Sequence, residues 1–127
     1  IVVEDKGSAE INEDAIKTSA GALMHIAVCR EKSLLNAVKN MQMHGLRVVA
    51  ATEKGNISVF KTDLSLPTAV VMGSEEKGIS PSILKVSDAL CHIPMVGNIA
   101  SLNVSVATGI VLFECLRQRL TKENINE

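Results

Sequence analysis

The stretch IPMVGNIASLNVSVATGIVLFE, residues 93 to 114, carries the strongest structural signal in the chain. It begins at the end of an apolar, strand-like run, where the ring of Pro94 removes one backbone amide. Gly97 permits a turn, and Ser101 is predicted to be the N-cap of a long helix that extends to Leu120. A strand end followed by a turn and a helix start offers backbone hydrogen bonds beside an apolar wall. Such a site suits an adenine or a thioether better than a triphosphate.

The predicted last helix is apolar around most of its circumference up to Phe113 and becomes charged only from Glu114 onward. A helix that is apolar on all sides is buried on more than one side. We therefore expect part of it to pack against a second copy of the chain. The segment from Cys91 to Phe113 carries no Asp, Glu, Lys or Arg, but proline, glycine and several Asn and Ser residues interrupt it, so no membrane span is predicted.

Upstream of this stretch, short β-branched runs alternate with helical patterns. These runs are residues 1–3, 25–29, 46–52, 68–72 and 89–93, and most are continuously apolar. Helices are predicted from Asn12 past Gly21, from Ser33 to Gly45, and from Ser80 to about Val86. Residues 53–58 form the one polar segment, interpreted as a flexible connector. Regular alternation of strands and helices predicts an α/β fold with a largely parallel sheet.

A second loop, VVMGSEEKGIS at residues 70–80, should lie at the same sheet edge, where ligands of such folds bind. Gly73 and Gly78 have the spacing of a phosphate-binding loop, but Ile79 stands where that loop requires lysine. Two adjacent carboxylates in the loop would also repel a polyphosphate. An ordinary phosphate-binding nucleotidase is therefore disfavoured.

The composition of the chain limits the number of domains and the classes of ligand that we expect. With 127 residues the chain is one domain by length, and its formal net charge of -1 provides no general attraction for nucleic acid, so RNA contacts must come from a local patch or another domain. The three cysteines are far apart in apolar sequence and indicate reduced, structural thiols of a cytoplasmic protein. No spacing of His, Cys or acidic residues matches a metal site, and none is expected.

Together the two loops resemble two of the three motifs of the SpoU or TrmH branch of the SPOUT RNA methyltransferases, in the right order and distance. A weaker similarity upstream extends over nearly the whole chain. Within this family the chain most resembles the RlmB-type subgroup, which methylates a guanosine of 23S ribosomal RNA. The resemblance implies transfer of a methyl group from S-adenosyl-L-methionine to a ribose 2'-OH. It also implies a deep trefoil knot, an exception to the rule that chains avoid threading.

The resemblance further implies a role for particular residues. Main-chain groups of the two loops would hold the cofactor, at Gly73, Ile93, Met95 and Leu102. Three side chains would shape the active site and position the reacting groups, namely Glu75, Ser101 and Asn103. A homodimer through the knot and the last helix would complete that site. Glu76 departs from the pattern, because many relatives carry glycine there, and a positive φ at this position would cost about 1 kcal/mol.

The family's first motif, with an Asn and an Arg that serve the active site, precedes the strand at residues 1–3. Because the chain starts at Ile1 without methionine, we expect it to be part of a longer protein, without the first motif and without an N-terminal RNA-binding domain. Residues 1–127 alone are then expected to be inactive. Two alternatives stay open, a knotted RNA-binding or dimerisation module that does not methylate, and a methyltransferase that acts on tRNA.

Overall fold

The computed structural model describes residues 1–125, which form two compact units, residues 1–37 and the residues from Val38 onward. In the first unit, β1 (Val2–Glu4) pairs in parallel with β2 (Cys29–Glu31). Helix α1 (Glu13–Thr18) and a 3-10 turn (Ala22–Met24) connect them. As predicted, Asn12 caps α1, with its side chain accepting a hydrogen bond of 3.0 Å from the amide of Ala15.

Two predictions for the first unit are wrong. The first helix does not run past Gly21, because Ala20 and Gly21 have positive φ angles of 51° and 82°, which end the helical path. The strand predicted at residues 25–29 lies further on, at Cys29–Glu31. His25 still belongs to the end of the 3-10 turn, where its amide donates to the carbonyl of Ala22.

The second unit holds a four-stranded, wholly parallel sheet in the order β4-β6-β3-β5. Its strands are β3 (Arg47–Ala51), β4 (Ile57–Ser58), β5 (Thr68–Met72) and β6 (Ala89–His92). Its helices are α3 (Pro81–Val86) and α4 (Val104–Ile125), and α2 (Leu34–Met43) precedes β3. Parallel sheets flanked by helices confirm the predicted fold class, although the strands form two sheets and not one. The N-cap at Ser80 and the stop at Gly45, whose φ is 86°, are also as predicted.

The segment interpreted as a flexible connector is structured. Ile57 and Ser58 form β4 and pair with β6, and a 3-10 turn (Val59–Lys61) follows directly. Val59 and Leu64 are fully buried in a core cluster. The other buried members of that cluster are Val49, Cys91, Val111 and Cys115. A two-residue strand has too little sequence to show a pattern, so only its pairing partner defines it.

Helix α4 is joined to the segment after β4 by side-chain hydrogen bonds. Gln118 accepts from the amide of Leu64 at 2.8 Å and donates to the carbonyl of Thr62 at 2.9 Å. The buried carboxylate of Glu114 accepts from Gln118 at 2.8 Å and from Arg117 at 2.7 and 2.8 Å. The bonds from Arg117 hold the pKa of Glu114 below its usual range, so this buried acid stays charged and paired.

Cys91 and Cys115 are buried free thiols, and burial raises the pKa of both, which makes them unreactive. Cys29, in the first unit, is exposed, so the prediction of a structural thiol is wrong there.

Within residues 1–125 no helix has the length and hydrophobicity that crossing a bilayer requires.

Candidate functional site

A cavity of about 730 Å³ opens beyond the carboxyl ends of β3, β5 and β6. Three loops and the first turns of α4 line it, as expected for a parallel sheet. The apolar side chains of the lining include Met72, Ile79, Ile93, Met95, Leu102 and Val104. All seven residues predicted to form the site belong to this lining, namely Gly73, Glu75, Ile93, Met95, Ser101, Leu102 and Asn103.

The loop after β5 is closed on itself. The amide of Gly78 donates to the carbonyl of Ser74 at 2.9 Å, and the amide of Lys77 donates to the Ser74 hydroxyl at 3.1 Å. A Cβ on Gly73 would lie 2.5 Å from the carbonyl carbon of Gly78, so the closure requires glycine at Gly73. Two of the loop amides are thereby used internally. This geometry differs from a phosphate cradle, whose amides point at the ligand.

Glu76 does not need the conformation of a glycine. Among the described residues outside glycine, a positive φ occurs at Ala20, and Glu76 has none. The substitution at this position therefore introduces no backbone strain of the kind considered from the sequence.

The start of α4 differs from the prediction in a way that matters for the site. The helix begins at Val104, so Asn103 and not Ser101 is its N-cap. The Oδ1 atom of Asn103 accepts from the amide of Ser105 at 2.9 Å, which is the usual capping bond. Its Nδ2 group donates to Oε1 of Glu75 at 3.3 Å. Two residues from different motifs, predicted separately, are thus brought into contact.

A third loop, not predicted from the sequence, completes the lining with Thr52 and Glu53. It lies against β6, because the amide of Thr52 donates to the carbonyl of Cys91 at 2.8 Å. Nδ1 of His92 lies 2.9 Å from the carbonyl oxygen of Gly55, and since a carbonyl only accepts, Nδ1 is the donor. A Cβ on Gly55 would lie 2.4 Å from the Cys91 carbonyl carbon, so Gly55 was the sequence signal for this close approach.

The charges around the cavity favour a cationic ligand. Glu53, Glu75 and Glu76 line it together with one cationic side chain, that of Lys77. An excess of carboxylates at the mouth of a cleft attracts positive and repels polyphosphate ligands. No group of three or more His, Cys, Asp or Glu residues within the described part of the chain could hold a metal ion.

Comparison with protein families identifies the family of this chain. The model of the SpoU rRNA Methylase family matches residues 1–113. A 23S rRNA (guanosine-2'-O-)-methyltransferase RlmB of Pseudomonas aeruginosa is 40% identical over 123 residues, which are 97% of this chain and 49% of that protein. An uncharacterized tRNA/rRNA methyltransferase of Archaeoglobus fulgidus is 38% identical over 119 residues, 94% of this chain and 53% of that protein.

Solved structures of TrmH and SpoU enzymes also superpose on this chain. The TrmH/SpoU tRNA modifying enzyme of A. aeolicus superposes with a TM-score of 0.80 at 31% identity, over 97% of this chain and 64% of that one. The SpoU methyltransferase AviRb of Streptomyces viridochromogenes, in complex with AdoMet, has a TM-score of 0.83 at 27% identity, over 94% and 49% of the two chains. The chain spans about half the length of the curated RlmB relatives that it matches.

Proposed function

This chain belongs to the SpoU rRNA methylase family, and on that basis we propose that it forms the cofactor-binding part of an RNA 2'-O-ribose methyltransferase. The donor is S-adenosyl-L-methionine, and the acceptor is a ribose of ribosomal RNA, a guanosine of 23S rRNA by analogy with the RlmB relatives. The reaction takes place in the cytoplasm. The chain follows the deep trefoil knot of its family, formed where the segment after β6 continues into α4.

The observation that carries the proposal is the contact between Glu75 and Asn103 at the edge of the cavity. Glu75 lies in the loop after β5, and Asn103 caps α4. The two residues are 28 positions apart, in the separate stretches that resemble two motifs of the SpoU methyltransferases.

The cavity suits the cofactor in shape and charge. Adenosine is flat and largely apolar, and apolar side chains at Ile93, Met95 and Leu102 provide a wall for it. The sulfonium and ammonium groups are cationic, in keeping with the excess of carboxylates. Gly73 lets the loop after β5 close on Gly78 without a side chain between them, and both glycines line the cavity. We therefore assign cofactor binding to the loops that carry Gly73, Ile93, Met95 and Leu102.

When bound, S-adenosyl-L-methionine supplies an electrophilic methyl group. The protein's task is to aim a ribose 2'-oxygen at that group and to keep the reacting atoms in line. Asn103 donates to Oε1 of Glu75, which leaves the other carboxylate oxygen to accept a hydrogen bond from a ribose hydroxyl. Ser101 borders the same cavity. We assign Glu75, Ser101 and Asn103 to orientation of the ribose.

The proposal includes a homodimer through α4. One face of this helix, with Val111, Glu114 and Cys115, is buried in the core. Apolar residues on the opposite face are exposed and recur at intervals of seven, three and four residues, as in a helix interface. They are Val106 at 52%, Phe113 at 74%, Leu116 at 50% and Leu120 at 50%. An exposed apolar stripe of this kind marks an interaction surface.

Phe113→Glu is expected to convert the dimer to a monomer, because it places a charge at the centre of this stripe, where a partner would bury it. Sedimentation velocity measures the change. Phe60→Glu is the matched control, since Phe60 is 58% exposed and lies outside α4. A dimer that survives Phe113→Glu, or that Phe60→Glu disrupts equally, would contradict an interface through α4.

The function itself is tested by incubating the full-length protein with S-adenosyl-L-methionine carrying a labelled methyl group and with unmodified ribosomal RNA or tRNA. We expect label in ribosomal RNA, recovered as 2'-O-methylguanosine after digestion to nucleosides. Label in tRNA alone would favour the tRNA alternative, which the A. aeolicus tRNA modifying enzyme keeps open. RNA binding without transfer of label would indicate a knotted module that does not methylate.

A further inference from the structure

Ser105, the second residue of α4, makes two hydrogen bonds to one atom of Asn103. Its amide donates to Oδ1 of Asn103 at 2.9 Å, and its hydroxyl donates to the same oxygen at 2.5 Å. The amide bond is the ordinary N-cap contact. The hydroxyl bond is additional, because an N-cap asparagine needs one donor from the helix and here receives two. Ser105 does not line the cavity, so a direct contact with a ligand does not account for its hydroxyl.

Two donors on one oxygen determine which way the Asn103 amide faces. The amide group of asparagine has an accepting oxygen and a donating nitrogen on opposite sides. If the group turned over, its NH₂ would face the backbone amide of Ser105, which can only donate, and the Ser105 hydroxyl would lose its bond to Oδ1. The oxygen of Asn103 would then face the carboxylate of Glu75. Both contacts would be repulsive. With Oδ1 held by Ser105, Nδ2 must point at Glu75, as observed at 3.3 Å.

We propose that Ser105 is a positioning residue of the methyl-transfer site, whose hydroxyl fixes the orientation of Asn103 and thereby the carboxylate of Glu75. The proposal rests on the proposed function, since it assigns Glu75 and Asn103 to orientation of the ribose. Each link is a hydrogen bond between described atoms, from Ser105 to Asn103 and from Asn103 to Glu75. Ser105 acts on the reaction through these two residues and not by contact with cofactor or RNA.

The chain offers a matched control for the loss of a hydroxyl from this helix. Thr108 lies one turn further along α4, and its hydroxyl donates to the carbonyl of Val104 at 2.6 Å, with no link to Asn103. Thr108→Ala removes a hydroxyl from the same region of the helix and leaves the Asn103 orientation intact. Ser105→Thr keeps a hydroxyl at the position in question. The three variants separate the hydroxyl bond to Asn103 from general effects on α4.

The experiment measures methyl transfer to ribosomal RNA by the full-length protein, and binding of S-adenosylhomocysteine by titration calorimetry. Ser105→Ala should lower kcat about five- to tenfold, the size of one neutral hydrogen bond. KM for RNA and the Kd for S-adenosylhomocysteine should stay within about twofold, since a positioning residue acts after binding. Ser105→Thr should restore kcat, and Thr108→Ala should leave it unchanged. An unchanged kcat in Ser105→Ala, or an equal loss in Thr108→Ala, would overturn the proposal.

A second readout does not depend on activity. The side-chain amide of Asn103 is assigned in ¹H–¹⁵N spectra by its absence in Asn103→Asp. Its resonances should shift in Ser105→Ala and stay in place in Thr108→Ala. Resonances that do not move in Ser105→Ala would refute the orienting role. A wild-type protein that binds no S-adenosylhomocysteine would instead refute the proposed function, so the two failures are distinguishable.

Discussion

Asn103→Asp is expected to reduce methyl transfer by about 100-fold or more with only a small change in the melting temperature. Aspartate caps a helix as well as asparagine, so the bond from the Ser105 amide is retained. The NH₂ group that donates to Glu75 is replaced by a carboxylate oxygen, which sets two negative charges against each other. Loss of one preorganised donor in an active site costs about 100- to 1,000-fold in kcat. Single-turnover methylation and thermal unfolding measure the two effects.

Two further variants separate the capping role of Asn103 from its contact with Glu75. Asn103→Ala loses both the cap and the donor, so it should lose turnover and also about 1 kcal/mol of stability. Glu75→Ala removes the partner carboxylate and should lower turnover without dissociating the dimer. If Asn103→Asp methylates ribosomal RNA at the wild-type rate, Asn103 is a structural cap and has no role in orienting the ribose.

Gly55→Ala is expected to destabilise the second unit by at least about 3 kcal/mol, the upper part of the range for an overpacked core. The new Cβ would lie 2.4 Å from the carbonyl carbon and 2.6 Å from the carbonyl oxygen of Cys91. Cys91 is on β6, between β4 and β3, so its backbone has no room to withdraw. The loop that carries Gly55 would have to move away from β6, and this would displace Thr52 and Glu53 at the cavity. Urea denaturation measures the change in the free energy of unfolding.

Gly45→Ala is the matched control. Gly45 has a φ of 86°, and a Cβ there would meet no atom within 4 Å. Its substitution by alanine costs only the strain of a left-handed conformation, about 1 to 2 kcal/mol. The close approach of Gly55 to β6 is contradicted if Gly55→Ala costs no more stability than Gly45→Ala.

The elements that the sequence predicts to the residue are those defined by local chemistry. Ser80 and Pro81 form an N-cap and a first helical residue, and α3 begins there. The continuously apolar run at Thr68–Met72 is β5 without change. By contrast, β4 has two residues and exists through its pairing with β6, which no local pattern expresses. The end of α1 depends on a positive φ at Ala20, a residue type that rarely has one.

In the candidate site, too, the features set by local sequence were predicted and those set by distant contacts were not. The resemblance to the SpoU motifs predicts which residues line the cavity, because Glu75 and Asn103 lie in the two stretches that carry it. They do not predict the N-cap of α4, since Ser101 and Asn103 are both good caps. The observed cap is the residue that also reaches Glu75, a contact 28 positions away. Thr52 and Glu53 were missed because polar residues after a strand resemble a solvated connector.

Calorimetric titration of the full-length protein with S-adenosyl-L-methionine, in parallel with ATP, tests the central claim most directly. The cavity is lined by three carboxylates and by a loop after β5, two of whose amides bond within the loop. We expect the methyl donor to bind in this cavity and ATP not to bind. Binding of ATP without binding of S-adenosyl-L-methionine would contradict it.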